Sequence, residues 1–318
     1  MAGIHLVVSC AKRKTQYPNP SLRLGGINRK FPIERRAIEW IGRLRKCSPG
    51  NRPAGELYSG DHWHTVRSIL DFSEKAMVPV RIWVCSAGYG LLPIETPLKP
   101  YSATFSPGDE DSVCNRSDLR TSLPKWWASI ATYRGVHDGP RTIAELARKF
   151  SNDFLLVALP QSYLFAVADD LRATVKTVRI AERLAVLSVG GSVPAEVEPN
   201  FLVTGAKLQS VAGGSLGSLN ARLARILITK LASKPMTLER CKRVLGELSK
   251  LAPETVPLAR LKMTDDEVVD AIRHYLKANP MSSATGLLRR FRESGRACKH
   301  SRFVSLYRQI NGAENGRL

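Results

Sequence analysis

Four short apolar runs limit what this chain can fold into. They lie at residues 4–8, 80–85, 154–159 and 184–189. Each is almost continuous in aliphatic and aromatic residues. Each is too short for a helix and lacks the alternation of a strand with one wet face, so each reads as a strand buried on both faces. Helical patterns lie between them. Residues 33–45 space Ile38, Ile41 and Leu44 along one side of a basic helix, and residues 62–75 repeat Val66, Ile69 and Leu70. Residues 142–150 and 163–172 follow the same logic. Buried strands alternating with helices imply an α/β protein, a three-layer α/β/α sandwich around a parallel central sheet. At 318 residues and 43% hydrophobic content the chain has material for two domains.

The break at Lys234-Pro235 divides them, with an α/β domain over 1–233 and an all-helical domain over 234–318. The second domain carries helical patterns at 238–251, 264–278, 284–294 and 301–310. Thr264 with Glu267 three residues on forms a capping box. Ser282-Ser283 caps the next helix, and Gly295 is placed to stop it. The pair 284–294 and 301–310, joined by a short turn, has the size of a helix-turn-helix unit. Arg289, Arg290, Arg292, Arg296, Lys299, Arg302 and Arg308 face a single acid, Glu293. Leu287, Leu288, Phe291, Phe303, Leu306 and Tyr307 keep an apolar face. Arg290, Arg296, Lys299 and Arg302 are therefore expected to meet nucleic acid. The bland alternative is a solvated basic surface on a small bundle. The segment Leu287–Phe303 also resembles the C-terminal helix-turn-helix tails of bacterial DNA-associated proteins.

Lys and Arg outnumber Asp and Glu by 48 to 28, a formal net charge of +20. That excess favours a polyanionic partner: DNA, with RNA not excluded, over an anionic membrane, because no apolar stretch approaches a span. The first fourteen residues read as a strand entering a basic loop and not as a secretion signal, so a cytoplasmic monomer is expected. Cys10, Cys47, Cys85, Cys114, Cys241 and Cys298 are scattered and form no C-x-x-C pair. They read as reduced thiols, and neither a metal nor a cofactor is expected.

A glycine-rich turn, Gly213-Gly214-Ser215-Leu216-Gly217-Ser218, precedes a helix at 221–231. Such a turn offers backbone N–H groups to a phosphate, with Gly214, Ser218 and Arg222 as candidate contacts and Arg225 adding charge. It lacks the Gly-Lys-Ser/Thr of a nucleotide-binding loop, and an ordinary capped turn reads equally well.

The strand ends carry the most chemistry. The first run exits through Ser9-Cys10-Ala11-Lys12-Arg13-Lys14. Glu56-Leu57-Tyr58-Ser59-Gly60-Asp61-His62 precedes a helix. The second run exits through Cys85-Ser86-Ala87-Gly88-Tyr89-Gly90-Leu91-Leu92, followed by Lys99-Pro100-Tyr101 and the acidic loop Asp109-Glu110-Asp111. In open α/β sheets ligands bind beyond the carboxyl ends of the strands. An acidic cluster held there in so basic a protein invites a functional reading, although Pro107-Gly108-Asp109 is also good turn chemistry. Asp61 reads as a helix cap, and Trp126-Trp127 as core.

In this order the segments resemble an uncharacterised bacterial domain family with the pattern SCxKxK, LYxG, SAxxGLL and PY. The resemblance spans about two-thirds of the chain. That family is similar to domains of archaeosine synthase and to the uracil-DNA-glycosylase-like fold, with relatives in bacterial DNA-modification and anti-phage loci. The resemblance implies a DNA glycosylase acting on a modified base, such as glucosylated hydroxymethylcytosine of phage DNA. Two departures stand out. Gly88-Tyr89 replaces Lys-His, and Ser102 follows Pro100-Tyr101 where Asp is usual. Ser9-Cys10-Ala11-Lys12 also lacks the water-activating Asp of uracil-DNA glycosylases.

Hydrolysis of an N-glycosidic bond passes through an oxocarbenium-like sugar. It needs a carboxylate and donors for the departing base. Asp111 and Asp109 are the candidate acids, Asp111 first, with Glu110 facing elsewhere. Tyr58, Tyr89 and Tyr101 are expected to stack on a base flipped from duplex DNA. Ser9, Ser86 and Gln161 are expected to read its edge, with Lys12 and Lys14 on phosphate. The alternatives are a non-catalytic module that recognises modified nucleotides or assists a transglycosylase, and, third, a metal-dependent nuclease.

Overall fold

The computed structural model describes residues 2–48, 50–177, 181–253 and 261–314. One six-stranded sheet holds β1 (Ile4–Ser9), β2 (Val80–Ser86), β3 (Gly90–Pro93), β4 (Phe154–Ala158), β5 (Leu184–Val189) and β6 (Phe201–Thr204). Their order across the sheet is β3-β2-β1-β4-β5-β6. Every neighbouring pair is parallel except β2 and β3, an antiparallel hairpin that pairs Ser86 with Gly90. β1 is central and buried along its whole length, which is why its sequence shows no alternation. It pairs Ser9 with Cys85 on one side and Val8 with Ala158 on the other. The parallel strands therefore leave β1 in opposite directions, and the crevice between the exits of β1 and β4 is the topological switch point.

Among the described residues, eight α-helices of six or more residues accompany the sheet: α1 (Ile33–Lys46), α2 (Asp61–Ala76), α3 (Leu119–Ala131), α4 (Ile143–Lys149), α5 (Gln161–Ala166), α6 (Ala168–Thr177), α7 (Leu219–Lys230) and α8 (Leu238–Leu251). They pack in two sets. α1 lies on α3 and α3 on α5, with α4 on α6; α2 lies on α7 and α7 on α8. These sets flank the sheet as the layers of a sandwich. Trp126 and Trp127 belong to the core as expected, their indoles donating to Ala87 O (2.9 Å) and Asp170 Oδ2 (3.2 Å).

Three expectations change. The edge strands β3 and β6 were not among the four apolar runs. The helix expected over 163–172 is two helices, α5 and α6, separated at Val167. The domain boundary falls after Pro253 and not at residue 233. Helix α8 buries Cys241, Val244, Leu245 and Leu248 in the α/β core, so it belongs to the first unit.

The second unit, residues 254–318, has its own core. Its helices are α9 (Asp265–Ala278), α10 (Ala284–Glu293) and α11 (His300–Glu314), closed around Val268, Ile272, Leu287, Phe291 and Phe303. The capping box is present: Glu267 N–H donates to Thr264 Oγ1 (3.3 Å) and Thr264 N–H to Glu267 Oε2 (2.7 Å). Ser283 caps α10, and Gly295, at φ +78°, ends the turn after it. Among the described residues no helix is long and apolar enough to cross a membrane.

Candidate functional site

The four strand-end segments converge at the C-terminal edge of the parallel strands. Thr15 N–H donates to Leu57 O (2.8 Å) and Ser59 N–H to Arg13 O (3.0 Å), joining the exit of β1 to the segment that leads into α2. Leu24 N–H donates to Ser102 O (2.9 Å) and Ser102 N–H to Leu22 O (2.8 Å). These bonds tie the loop containing Tyr101, Asp109 and Asp111 to residues 22–25.

A dry seam of hydroxyl groups lies inside this edge. Ser86 Oγ and Tyr101 Oη share a hydrogen bond of 2.7 Å, and Tyr101 Oη and Tyr58 Oη share one of 2.9 Å. Ser86 Oγ also accepts from the N–H groups of Gly88 (3.3 Å) and Tyr89 (3.1 Å), which turns the chain from β2 into β3. Across the switch point, Cys10 Sγ and Tyr163 Oη lie 3.1 Å apart in another hydrogen bond. Burial pushes the phenols of Tyr58, Tyr101 and Tyr163 well above their ordinary value, so all three stay neutral. Gly88 is required here, because a Cβ would overlap the Tyr101 ring.

This seam corrects the expectation of stacking. Tyr58, Ser86 and Tyr101 have 0% exposure. Their polar atoms satisfy one another and their rings pack on neighbours, so in this conformation none offers a face to a base. Tyr89 is buried against Tyr101 with ring centroids 5.0 Å apart, and its hydroxyl donates to Lys99 O (3.3 Å). Its remaining edge borders a cavity of about 400 Å³ shared with Arg45, Lys99 and Tyr133. Ser9 is buried as well, and its carbonyl meets His62 Nε2 at 3.1 Å.

The two candidate acids differ. Asp111 is 2% exposed. Its Oδ1 accepts from Gly25 N–H (2.8 Å), while Oδ2 makes no hydrogen bond and lies 3.7 Å from Arg23 Nε. Asp109 is the acid that solvent reaches. Its Oδ1 accepts from Asp111 N–H (3.0 Å), and Oδ2 forms an ion pair with Lys12. Burial alone would raise its carboxyl. The Lys12 hydrogen bond, the Asp111 N–H and the charges of Lys12 and Arg29 outweigh that and hold it below the ordinary range. Glu110 points outward to Arg23 (3.0 Å), as expected.

Lys14 is the residue whose setting the sequence did not disclose. It is half-buried, with its ammonium 4.1 Å from the Tyr101 ring centroid and donating to Ala11 O (3.1 Å). Burial brings its pKa down to about 8, against the opposing pull of Cys10 and Asp111. An amine so placed exchanges its proton near neutral pH. Lys12, in contrast, is exposed and spent on Asp109.

Gln161 begins α5, but its amide is taken. Nε2 donates to Ser192 O (3.1 Å), and Oε1 accepts from Ser192 N–H. It pins the loop after β5 to the exit of β4, and it reads no base edge until that clasp opens.

The glycine-rich turn does bind an anion, one of the chain's own. Asp61 Oδ2 accepts from Ser215 N–H (3.0 Å), Ser215 Oγ (2.8 Å) and Ser218 Oγ (2.6 Å), and Oδ1 from Arg222 Nη2 (2.6 Å). The Ser218 hydroxyl first, then the Ser215 N–H, hold this carboxyl far below its usual range. Gly214, at φ +70°, lies under the Arg222 guanidinium, where a side chain would collide with it. The expected phosphate contact at Gly214, Ser218 and Arg222 is therefore occupied by Asp61, which ties α2 to the start of α7.

In the second unit the expected cations divide. Arg302 is consumed by Asp265 and by Met263 O (2.9 Å). Arg290 lies 5.3 Å from the Tyr275 ring centroid and Arg296 5.8 Å from that of Phe291. Lys299 is exposed and borders, with Lys262, Arg292 and Arg302, a cavity of about 530 Å³ that has no acidic wall.

Among the described residues no three His, Cys, Asp or Glu side chains gather closely enough to hold a metal ion. Comparison with protein-family models, with curated proteins and with solved structures finds no match to this chain.

Proposed function

We propose that the protein is a nucleic-acid N-glycosylase. It would release a modified base, a modified cytosine of phage DNA being the first candidate, and leave an abasic site. The single observation that carries this reading is a partly exposed, ionised carboxylate, Asp109, whose ion-pair partner Lys12 follows β1 two residues before a poised amine, Lys14. Asp109 is held ionised by Lys12, and Lys14, on the same segment after β1, has its pKa brought down to about 8. An oxocarbenium-like sugar needs a fixed negative charge or an activated water, and a departing base needs a proton. Asp109 supplies the first and Lys14 the second. Asp111, buried with a bare Oδ2, supports the loop and reaches substrate only if that loop lifts. The basic helix-turn-helix reading of α10 and α11, with Lys299 and Arg290 toward phosphate, supplies duplex binding.

The closed seam of Tyr58, Ser86 and Tyr101 favours the second reading, a module that recognises modified nucleic acid without cleaving it. One experiment separates the two. Purified protein is incubated, in EDTA, with duplexes carrying plain, hydroxymethylated or glucosyl-hydroxymethylated cytosine. Released base is measured by mass spectrometry and abasic sites by alkali cleavage. Base release from one modified duplex supports the glycosylase. Binding without release from any of them moves the weight to the recognition module.

A further inference from the structure

A second charge cluster lies outside the strand-end site. Helix α1 turns Arg36 inward, where it is 4% exposed. Its Nη1 donates to Val113 O, but Nε and Nη2 are buried without a hydrogen-bond partner. Among the described residues no carboxylate forms an ion pair with it; Glu39, one turn on, is taken by Arg43 (2.8 Å). A buried guanidinium with two idle donor atoms is unfavourable unless an anion completes it.

The surroundings suit such an anion. Arg36 borders a cavity of about 180 Å³ together with Arg29, Ser112, Asn115, Asp118 and Ser122. Ser122 lies in the first turn of α3, a helix of 13 residues whose N-cap side chain makes no capping bond. A 3-10 turn at Arg116–Asp118 runs directly into that helix. The acid in the wall, Asp118, has its Oδ1 engaged by the Ser117 hydroxyl (2.8 Å). Arg29 adds a second guanidinium, anchored through Nη2 to Asp109 O (2.8 Å).

We propose that this cavity is a phosphate-type oxyanion site, filled either by inorganic phosphate or by a backbone phosphate of nucleic acid. Nε and Nη2 lie on one edge of the Arg36 guanidinium, a pair of parallel donors that matches two oxygens of an anion as an ammonium does not, and a side-chain shift toward the cavity would bring that edge to the anion. Arg29 and Ser122 line the same cavity and would meet the others. The inference is independent of the glycosylase reading, since it requires no chemistry at Asp109.

The test is the melting temperature of the full chain in rising phosphate, with chloride adjusted to hold ionic strength constant. In the wild type, Tm should rise and saturate. Arg36→Met should abolish the saturable rise while melting in chloride as high as the wild type or higher, because it removes a buried unpaired charge. Ser122→Ala should raise the half-saturating phosphate several-fold and leave Tm in chloride unchanged. Exclusion of phosphate from protein surfaces stabilises every variant alike, so the difference between variants reports the site. Loss of duplex affinity in Arg36→Met would assign the site to a backbone phosphate, and unchanged duplex affinity would assign it to the free ion. A wild-type Tm that does not distinguish phosphate from chloride, or an equal rise in Arg36→Met, overturns the proposal.

Discussion

Asp61 and Arg36 are charges of opposite sign on helices of the two layers that flank the sheet, and the fold treats them differently. Every oxygen of Asp61 has a partner, drawn from a serine, a second serine and an arginine more than 150 residues away. Arg36 is more deeply buried and keeps two donor atoms idle. The turn at 213–218 has the composition of a phosphate loop, yet its anion is internal and its role is to fasten α7 to α2. The segment at 112–122 has no such composition, yet it borders a buried guanidinium that forms no ion pair among the described residues. A saturated charge holds two elements together, whereas a buried charge with idle donors is costly until something meets them.

Four substitutions press on that contrast. Asp61→Ala should have the largest effect on stability, about 2 kcal/mol after allowance for its partial exposure, because it strands Arg222 and two serine hydroxyls. The urea midpoint should fall with the slope unchanged. The pH dependence fixes the sign. The Asp61 pKa is depressed in the folded state, so its contribution is complete above the unfolded value and is lost as pH falls below about 4. The gap between wild type and Asp61→Ala should therefore narrow in acid.

Gly214→Ala attacks the same clasp from the backbone, through its positive φ and the collision with Arg222, and should cost about 1–2 kcal/mol. Arg36→Met should change stability in chloride by less than about 1 kcal/mol, or improve it. A loss comparable to that of Asp61→Ala would mean that Arg36 is a clasp as well. Lys14→Met is read from its pH slope and not from its effect at any one pH. A base with a lowered pKa penalises folding below that pKa, and the penalty disappears as pH rises toward the ordinary value. Wild-type stability should gain on Lys14→Met between pH 8 and about 10. Parallel curves would show that the amine titrates normally.

Much of this arrangement was legible in the sequence, for definable reasons. The strands at β1, β2, β4 and β5 are buried on both faces, so their apolar runs were unmistakable. β3 was hidden because it is four residues ending in proline beside a glycine turn, and β6 because it is short and leaves Val203 exposed. α3 carries Pro124 inside it and was not among the expected helices. The convergence of the Cys10–Lys14, Tyr58, Ser86 and Tyr101 segments followed from their places at strand and helix ends. Their burial did not, because side-chain saturation is a property of packing and leaves no local pattern. The partner of Ser215 and Ser218 was unreadable for a similar reason: the donors are local in sequence and the acceptor, Asp61, is remote.

The most direct measurement pairs activity with stability in Asp109→Asn and Asp61→Asn, using base release from modified duplex DNA and thermal melting of the same preparations. Asp109→Asn should melt with the wild type, since it gives up only an exposed ion pair, and should lose base release by about 100-fold or more. Asp61→Asn should do the reverse, melting early and releasing base at the wild-type rate below its transition. Wild-type base release by Asp109→Asn would contradict the assignment of chemistry to the strand-end carboxylate, and with it the central claim.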